Sequence, residues 1–353
     1  MDKNPSEKIG IMTWFYAMNY GARAHAFALQ KMVQSLGYEC EFVNYRSPQI
    51  AKMELRTCLS KNFRYMVTQT LKLLRFRLSS DRLYKGKKVL RISKLSMNDY
   101  KTIILGSDEI FNLIHPSFDK VYFGVGISPD ISLITYAVSC GQMGKTDKYP
   151  NEISSNIMRY RHISVRDQWT KEILEPYIID KNIELVLDPT FLIDFSGKDS
   201  GLFSAQHYLL VYAFSEFSPD TILQIKEYAN KNDLKIIRIG HHCSWADKCY
   251  PFASQNMWYE AFQYADTVVT DSFHGVIFAI KNQKPIVIIS KNDKTNKILN
   301  LLEMLQITLD FYDGQLTIDD YLRNSVDYCN VFKIIEKLKK KSIQYLRFSL
   351  SEK

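Results

Sequence analysis

The feature that most constrains the fold is a strand–helix–strand pattern between Ala265 and Ser290. A short apolar run over 267–269 predicts a buried strand, a helical pattern continues to Asn282, and a second apolar run follows Pro285. Parallel strands are joined through helices in this way, because a crossover connection needs a dozen or more residues. The pattern therefore predicts a unit of a parallel α/β sheet.

The turn between this strand and its helix contains Asp271, Ser272, His274 and Gly275. Ser272 is expected to cap the helix, which leaves His274 in the first turn beside backbone N–H groups that have no helical partner. Such a turn suits an anion, and a histidine there can move a proton. The alternative is a capped helix whose histidine only hydrogen-bonds nearby backbone.

The same alternation recurs along the whole chain and predicts two α/β halves. The first half opens as β-α-β, with strands at Lys8–Met12 and Glu41–Tyr45 around a helix. We expect two Rossmann-like domains facing a cleft, the first over residues 1–193 and the second over 206–325. Asp194–Ala205 is the expected linker, and a terminal helix within 326–353 is expected to pack back on the first domain.

One segment interrupts the alternation with a strongly basic helical pattern. Between Arg46 and Lys94, fourteen Lys or Arg residues face two acids, so the segment carries +12 and the rest of the chain about −4. We expect a basic helical insertion over about 50–94 in the first domain. Two interpretations stay open: a helix packed on the domain with a solvated basic face, or a surface for anionic lipid headgroups or a lipid diphosphate. No nucleic-acid module accompanies the charge, so we expect no nucleic-acid partner.

Composition excludes several classes of protein. With 353 residues, 46% hydrophobic and 24% charged, the chain is long enough for two cores and is not of the disordered type. No apolar run reaches the roughly 18 residues of a membrane helix, and the polar start of the chain does not resemble a secretory signal. Six scattered cysteines do not form a disulfide framework. We therefore expect a cytoplasmic protein, peripheral at the inner face of the membrane if the basic segment docks there.

Polar residues follow several predicted strands, at the edge where open α/β sheets bind ligands. Arg166 directly follows a strand, so its guanidinium is suited to a carboxylate or phosphate, or to an ion pair with Asp167 or Asp188. Lysines 291, 294 and 297 follow the strand Ile286–Ile289, and one of them could reach an anion near His274. The strand-end residues are Asn19, Gly21, Ser107, Asp108, Ser139, Gly141, Arg166, Asp167, Asp271, Ser272 and His274.

No metal site or nucleotide fingerprint is expected. The spacing of His241, His242, Cys243 and Cys249 matches no common zinc pattern. The loop at Asn19 is not G-x-G-x-x-G, and no P-loop or nucleophile elbow is present. We therefore expect no metal and no cofactor.

Six motifs in order, over about residues 8–307, together resemble the polysaccharide pyruvyl transferase family. That resemblance implies a fold similar to GT-B glycosyltransferases. It also implies transfer of pyruvate from phosphoenolpyruvate to a sugar, usually as a ketal across two hydroxyls. The motifs are Asn19-Tyr20-Gly21-Ala22, Gly106-Ser107-Asp108-Glu109-Ile110-Phe111-Asn112, Tyr136-Ala137-Val138-Ser139-Cys140-Gly141, Ser164-Val165-Arg166-Asp167, Asp188-Pro189-Thr190 and Thr270-Asp271-Ser272-Phe273-His274-Gly275.

The resemblance also assigns roles to individual residues. His274 resembles the catalytic acid, and Asp108 is the candidate for the base or for binding the acceptor hydroxyl. The first domain is then the acceptor side and the second the donor side. Arg166, Lys297, Ser272 and Gly275 are the expected donor-binding residues, and Asn19, Gly21 and Ser139 the expected acceptor-binding residues.

Two positions depart from the family pattern. Glu109 stands where a glutamine is common, and Ser272-Phe273-His274 stands where some members have Arg-Leu-His, which removes one anion-binding arginine. The expected acceptor is a galactose-like sugar of an exopolysaccharide or capsule precursor, free or lipid-diphosphate-linked. The alternatives are a GT-B nucleotide-sugar glycosyltransferase, for which Glu260 or Lys291 would contact the diphosphate, and a binding module without catalysis.

Overall fold

The structure is a computed structural model that describes residues 8–59, 63–79, 85–89, 92–195, 200–289, 295–323 and 326–351. Lys291 and Lys294, and residues 196–199 of the expected linker, lie outside this part of the chain. The chain divides into two compact units. The first comprises Met1–Ile193 with Glu336–Lys353, and the second comprises Asp194–Ile335.

The first unit is built on a parallel sheet in the order β3-β2-β1-β4-β5. The parallel pair β6–β7 continues this sheet through isolated bridges from Ile134 to His162 and from Val138 to Val165. The order reverses between β1 and β4, as in doubly wound sheets. Its elements are β1 (Ile9–Met12), α1 (Tyr20–Ser35), β2 (Cys40–Tyr45), α2 (Pro48–Cys58), α3 (Phe63–Ser79), β3 (Lys85–Val89), β4 (Thr102–Leu105), β5 (Ser132–Thr135), α4 (Asn151–Ile157), β6 (Ile163–Val165), α5 (Gln168–Leu174) and β7 (Ile183–Leu185).

Helix α1 illustrates how local sequence sets these elements. The side chain of Asn19 accepts a hydrogen bond from the Ala22 N–H, which satisfies one donor of the first turn. After the helix ends, Gly37 adopts φ +93°, a conformation that glycine takes at little cost. One side of α1 packs on the sheet through residues such as Leu29 and Val33, which are fully buried.

The basic segment is helical only in part. Helices α2 and α3 occupy its first two thirds, but Lys85–Val89 forms β3, paired in parallel with β2 at the sheet edge. The expectation of a helical insertion to residue 94 is therefore wrong for this stretch. Lysines suit an edge strand, because their charges oppose pairing with another chain. Their spacing does not reveal a strand, since the alternation of apolar and polar residues is missing.

The second unit contains a six-stranded parallel sheet in the order β10-β9-β8-β11-β12-β13, and its order reverses between β8 and β11. These two sheets confirm the predicted fold class, α/β with parallel sheets in two domains. The elements that follow the first unit along the chain are β8 (Tyr208–Tyr212), α6 (Pro219–Lys231), β9 (Lys235–Ile239), β10 (Lys248–Tyr250), α7 (Gln255–Tyr264), β11 (Thr267–Thr270), α8 (Phe273–Lys281), β12 (Ile286–Ile289), α9 (Thr295–Met304), β13 (Phe311–Tyr312), α10 (Ile318–Leu322) and α11 (Tyr328–Ser351).

The last helix, α11, begins with residues of the second unit and continues into the first. Within the first unit, the Tyr345 hydroxyl donates to the Thr135 carbonyl at 2.8 Å, and the Ser342 hydroxyl accepts from the Leu187 N–H at 2.9 Å. Tyr345 and Leu346 belong to that unit's core. Across the described ranges, none of the helices has both the length and the apolar character needed to cross a bilayer.

Candidate functional site

Each sheet brings candidate residues to the point where its strand order reverses. In the first unit, the Thr13 hydroxyl after β1 donates to the Ser107 carbonyl after β4, at 3.0 Å. In the second unit, Asp271 after β11 accepts from the N–H groups of Phe214 and Ser215 after β8, both at 2.9 Å. Open α/β sheets bind ligands in the crevice at this position. The two reversal points are therefore the candidate sites of their units.

In the first unit, Asp108 lies at the centre of a charged cluster. Its carboxylate is 3.3 Å from Nε2 of His25 and 3.5 Å from Nη1 of Arg166. The same Nη1 is 3.2 Å from Oδ2 of Asp188, whose other oxygen accepts from the Thr190 hydroxyl and N–H. The cluster joins the ends of β4, β6 and β7 to a side chain of α1. The sequence left open whether Arg166 pairs with Asp167 or Asp188, and in the structure it pairs with Asp188.

The neighbouring carboxylates determine the direction in which the pKa of Arg166 is shifted. Its side chain is only 3% exposed. Burial alone would lower its pKa, but the carboxylates of Asp108 and Asp188 outweigh that effect and raise the pKa above the ordinary value. The guanidinium therefore keeps its charge in the interior, and any further anion would share it with two carboxylates.

The backbone after β4 explains why Asp108 points into this cluster. Gly106 has φ +133°, and a Cβ there would collide with the Tyr136 carbonyl, so a side chain is excluded. Asp108 itself adopts φ +83°, in the left-handed region that Asp tolerates better than most residues. Conformations of this kind concentrate at functional sites.

The expected acceptor residues of this unit all have structural contacts. The Ser139 hydroxyl donates to Asp167 at 2.8 Å and accepts from the Gly141 N–H. Asn19 caps α1, and Gly21 lies buried in the first turn of that helix. These contacts fix the loops around Asp108. The acceptor-binding role of Asn19, Gly21 and Ser139 stays a prediction.

In the second unit, the turn between β11 and α8 forms as expected. Ser272 is the N-cap of α8, and its hydroxyl accepts from the Gly275 N–H at 3.4 Å. The Thr270 hydroxyl donates to the Tyr212 carbonyl and accepts from the Ser272 N–H. The first turn of α8 is thereby held to the ends of β8 and β11.

His274 and Lys297 both lie against Phe273. The ring of His274 meets that of Phe273 edge-on with centroids 5.3 Å apart, and Nζ of Lys297 is 5.9 Å from the Phe273 ring centroid. His274 is 6% exposed, whereas Lys297 is half-buried. The first turn of α8 thus carries a histidine, and Lys297 lies near the ring of the neighbouring Phe273. A helix N-terminus and a lysine are groups suited to an anion.

Gly275 has a packing function. A Cβ at this position would collide with the Thr270 hydroxyl, so glycine allows α8 to approach β11 closely. Any contact of Gly275 with a donor would use its backbone. That contact stays a prediction, as does the one expected for Ser272.

The buried charge of Arg238 was not predicted from the sequence. Arg238, in the middle of β9, is 1% exposed and makes a paired contact with the carboxylate of Glu216. Beside it, the sulfurs of Cys243 and Cys249 are 3.7 Å apart. The hydrogen bond from Cys249 and the nearby Arg238 lower the pKa of Cys243. Over the described residues, no group of three or more His, Cys, Asp or Glu is placed to hold a metal ion.

Glu260 is not placed for the alternative function. It is 2% exposed, and its carboxylate accepts from the Ser200 hydroxyl at 2.5 Å. A diphosphate-binding glutamate would have to be accessible. This geometry weighs against Glu260 in that role, and Lys291 lies outside the described residues.

A cavity of about 570 Å³ in the first unit is separate from the candidate site. It is lined by Arg161, His162, Lys181 and side chains of α11, including Tyr345. Arg161, His162 and Lys181 precede β6 and β7, whereas Arg166 and Asp188 follow the same strands. The cavity therefore opens at the opposite edge of the sheet.

The structure thus assembles two groups of predicted residues: Asp108 with Arg166 in one unit, and Ser272, His274 and Lys297 in the other. The proximity of Arg166 to His274 stays a prediction. His25 is an addition to the first group.

Comparison with known families gives one match that spans most of the chain. The family model described as polysaccharide pyruvyl transferase matches residues 19–293, which include all the candidate residues except Lys297. No curated protein matches the chain significantly.

Solved structures show the fold. UDP-GlcNAc 2-epimerase from Neisseria meningitidis, bound to UDP-GlcNAc, gives a TM-score of 0.54 at 9% identity over 96% of this chain and 99% of that one. Os79 from O. sativa, in complex with UDP, gives 0.51 at 11% identity over 97% and 100%. UDP-GlcNAc 2-epimerase from Methanocaldococcus jannaschii gives 0.50 at 10% over 93% and 92%. These likenesses show that the fold is of the GT-B type.

Proposed function

Because this chain belongs to the polysaccharide pyruvyl transferase family, it is a transferase, and we propose that it moves pyruvate from phosphoenolpyruvate to a sugar of a surface-polysaccharide precursor. The family match over residues 19–293 is the observation that carries the proposal. We take the acceptor to be a galactose-like sugar, either free or lipid-diphosphate-linked, and the product to be a pyruvyl ketal.

The second unit is the proposed donor side. Phosphoenolpyruvate carries a carboxylate and a phosphate, so it needs several positive or N–H-rich groups in one place. Lys297 and the N-terminus of α8 supply them beside His274. Asp271 does not oppose the donor strongly, because its two oxygens already accept the Phe214 and Ser215 N–H groups.

The first unit is the proposed acceptor side, with Asp108 as the base. Its carboxylate is held by His25 and Arg166 at a strand end, where a sugar hydroxyl can approach. Arg166 is proposed to hold an anionic group of the donor while keeping Asp108 in position. We propose that Asn19, Gly21 and Ser139 line the acceptor site.

The proposed reaction balances with these residues alone. His274 donates a proton to the methylene carbon of phosphoenolpyruvate, which makes the central carbon electrophilic. A sugar hydroxyl attacks that carbon and gives its proton to Asp108. The C–O bond to phosphate then breaks, and a second sugar hydroxyl attacks the same carbon. Its proton returns to the imidazole, Asp108 gives the proton of the first hydroxyl to the departing phosphate, and inorganic phosphate is released.

The test is incubation of the purified protein with phosphoenolpyruvate and oligosaccharide acceptors, both free and lipid-linked. We expect phosphate release together with an acceptor mass gain that corresponds to one pyruvyl ketal. The absence of both with every acceptor tried would contradict the proposal. A thermal-shift series separates the alternative, since a nucleotide-sugar transferase would be stabilised by a nucleotide sugar and not by phosphoenolpyruvate.

A further inference from the structure

Helix α3 presents a continuous apolar stripe to solvent. We define the apolar stripe as Phe63, Val67, Leu71, Leu74 and Leu78, whose exposed fractions are 71%, 37%, 49%, 50% and 73%. At about 100° per residue, the five side chains fall within an arc of roughly 80° around the helix axis. Isolated exposed apolar side chains are ordinary, but five aligned on one helix are not.

The opposite side of α3 is the one that packs on the protein. Gln69, Lys72 and Phe76 are 5%, 5% and 3% exposed. The ring of Phe76 meets Tyr20, and its carbonyl accepts from Nη1 of Arg23. The orientation of α3 is therefore fixed by contacts, and it is the reverse of the usual amphipathic helix, whose apolar face turns to the core.

Helix α2 adds to the exposed apolar surface. It packs against α3 and exposes Leu55, at 59%, while Ile50 and Glu54 face inward. Leu59, the C-cap residue that follows α2, is 69% exposed. The inner face of α2 again includes a charged residue and its outer face includes a leucine. Both helices of the basic segment thus direct apolar side chains outward.

Cations border the apolar stripe. At about 100° per residue, Arg75 lies roughly 40° beyond one edge of the stripe and Arg77 roughly 40° beyond the other. Arg77 also contacts Glu54 at 3.5 Å. On α2, Lys52 and Arg56 are exposed. Arginines of this kind extend their charged ends past an apolar face, which is the arrangement of helices that lie in the plane of a membrane surface.

We propose that α2 and α3 form a docking surface for a bilayer that contains anionic lipids. The leucines and Phe63 enter the boundary between headgroups and acyl chains, and the arginines lie at the level of the lipid phosphates. The +12 charge of residues 46–94 draws the segment to the surface. The apolar stripe then provides the part of the affinity that salt does not screen.

Charge and apolar surface together favour an anionic bilayer over a second copy of the chain or a nucleic acid. In a symmetric dimer, the same surface of two copies would meet, and two segments of +12 would be brought together without a compensating anion. A nucleic acid would use the cations but leave the leucines in water. An anionic bilayer uses both features.

The experiment uses the full chain and vesicles alone, so its outcome does not depend on the proposed function. Co-sedimentation is measured with vesicles of phosphatidylcholine and with vesicles that also contain phosphatidylglycerol. Two variants probe the surface: Arg75→Glu, and Leu71→Ser combined with Leu74→Ser. Matched controls lie on α6: Lys226→Glu, and Leu223→Ser at a leucine that is 55% exposed. Circular dichroism and thermal unfolding establish that each variant is folded.

We expect wild-type protein to bind the anionic vesicles and not the neutral ones. Each basic side chain near an anionic surface contributes about a factor of five, so Arg75→Glu should weaken binding at least about tenfold. The double variant Leu71→Ser with Leu74→Ser should also weaken vesicle binding about tenfold, while both control variants should bind within about twofold of wild type. The proposal is overturned if wild type does not bind anionic vesicles, or if both surface variants bind as well as wild type. A wild-type dimer that the double variant converts to monomer, without vesicle binding, would also overturn it.

Discussion

At the scale of single residues, the proposed donor chemistry depends on His274. The residue lies in the first turn of α8 with Phe273 at its side and Lys297 against the same phenyl ring. Its surroundings contain a helix N-terminus and a lysine, and both attract the anionic donor that the histidine must protonate.

We expect His274→Gln to lower kcat by about 10² to 10⁴, because glutamine cannot transfer the proton, and to change KM for phosphoenolpyruvate much less. Steady-state phosphate release measures both constants. The control is His207→Gln, at a histidine of the same unit whose side chain is 84% exposed. Full turnover by the His274 variant would remove this residue from the mechanism.

The sequence revealed those residues that end strands and missed those within elements. Asp108 and Arg166 follow strands, and His274 lies in the first helical turn after one, at positions where the sequence pattern does not require a core residue. His25 occupies the buried side of α1, and Arg238 lies within the apolar run of β9. Their positions follow a core-facing period, so only the contacts with Asp108 and Glu216 distinguish them from ordinary core residues.

At the scale of elements, α3 differs from what its sequence suggests. Leucines at helical spacing are typical of a helix packed on a core, which was one of the two interpretations of this segment. The structure buries Lys72 and Phe76 instead and leaves the leucines in solvent. The apolar periodicity predicts the helix correctly. It does not predict which side of the helix packs on the protein, because the charged residues and the apolar residues favour burial of different faces.

Lys72 makes the orientation of α3 measurable. Burial lowers the pKa of Lys72 from the model-compound value of 10.5 to about 8. Between those two pH values the unfolded chain binds more protons than the folded one, so the free energy of unfolding rises with pH. This pKa difference corresponds to a cost of about 3 kcal/mol for burying the charged ammonium. The Tyr20 ring, 5.5 Å from Nζ, offsets about 1 kcal/mol of that cost at neutral pH.

Lys72→Met should therefore stabilise the protein by about 2 kcal/mol at pH 7, since it removes the cost of burying the ammonium. This increase in the free energy of unfolding should shrink above pH 8 and be nearly absent at about pH 10.5. Urea unfolding at several pH values measures it, with Lys226→Met on the exposed side of α6 as the control. A Lys72 variant that matches wild type at pH 7 would contradict the packed orientation of α3.

At the scale of the whole molecule, the two units differ in how the chain builds them. The second unit is one continuous stretch, Asp194–Ile335, whereas the first is completed by Glu336–Lys353. In the first unit, Tyr345 is 8% exposed and bonds to Thr135, some two hundred residues earlier in the chain. The last turns of α11 are thus part of the first unit's core.

We expect Tyr345→Ala to lower the free energy of unfolding of the first unit by about 3 kcal/mol, through the lost ring packing and the lost hydrogen bond. Phe348→Ala, on the same helix at 53% exposure, should cost less than about 1 kcal/mol. Hydrogen exchange resolved by segment assigns the effect to a unit. A loss of less than about 1 kcal/mol for Tyr345→Ala would mean that the end of α11 does not belong to that core.

The division of the first unit has a consequence for how the protein is synthesised. A ribosome releases residues 1–193 long before it releases Tyr345, and the whole of 194–335 comes in between. The second unit therefore has its complete sequence first, although it starts later. During that interval the nascent first unit exposes the apolar surface that α11 later covers, and exposed surface of this kind is what chaperones bind. Folding of the first unit can therefore be completed only after residues 336–353 have been synthesised.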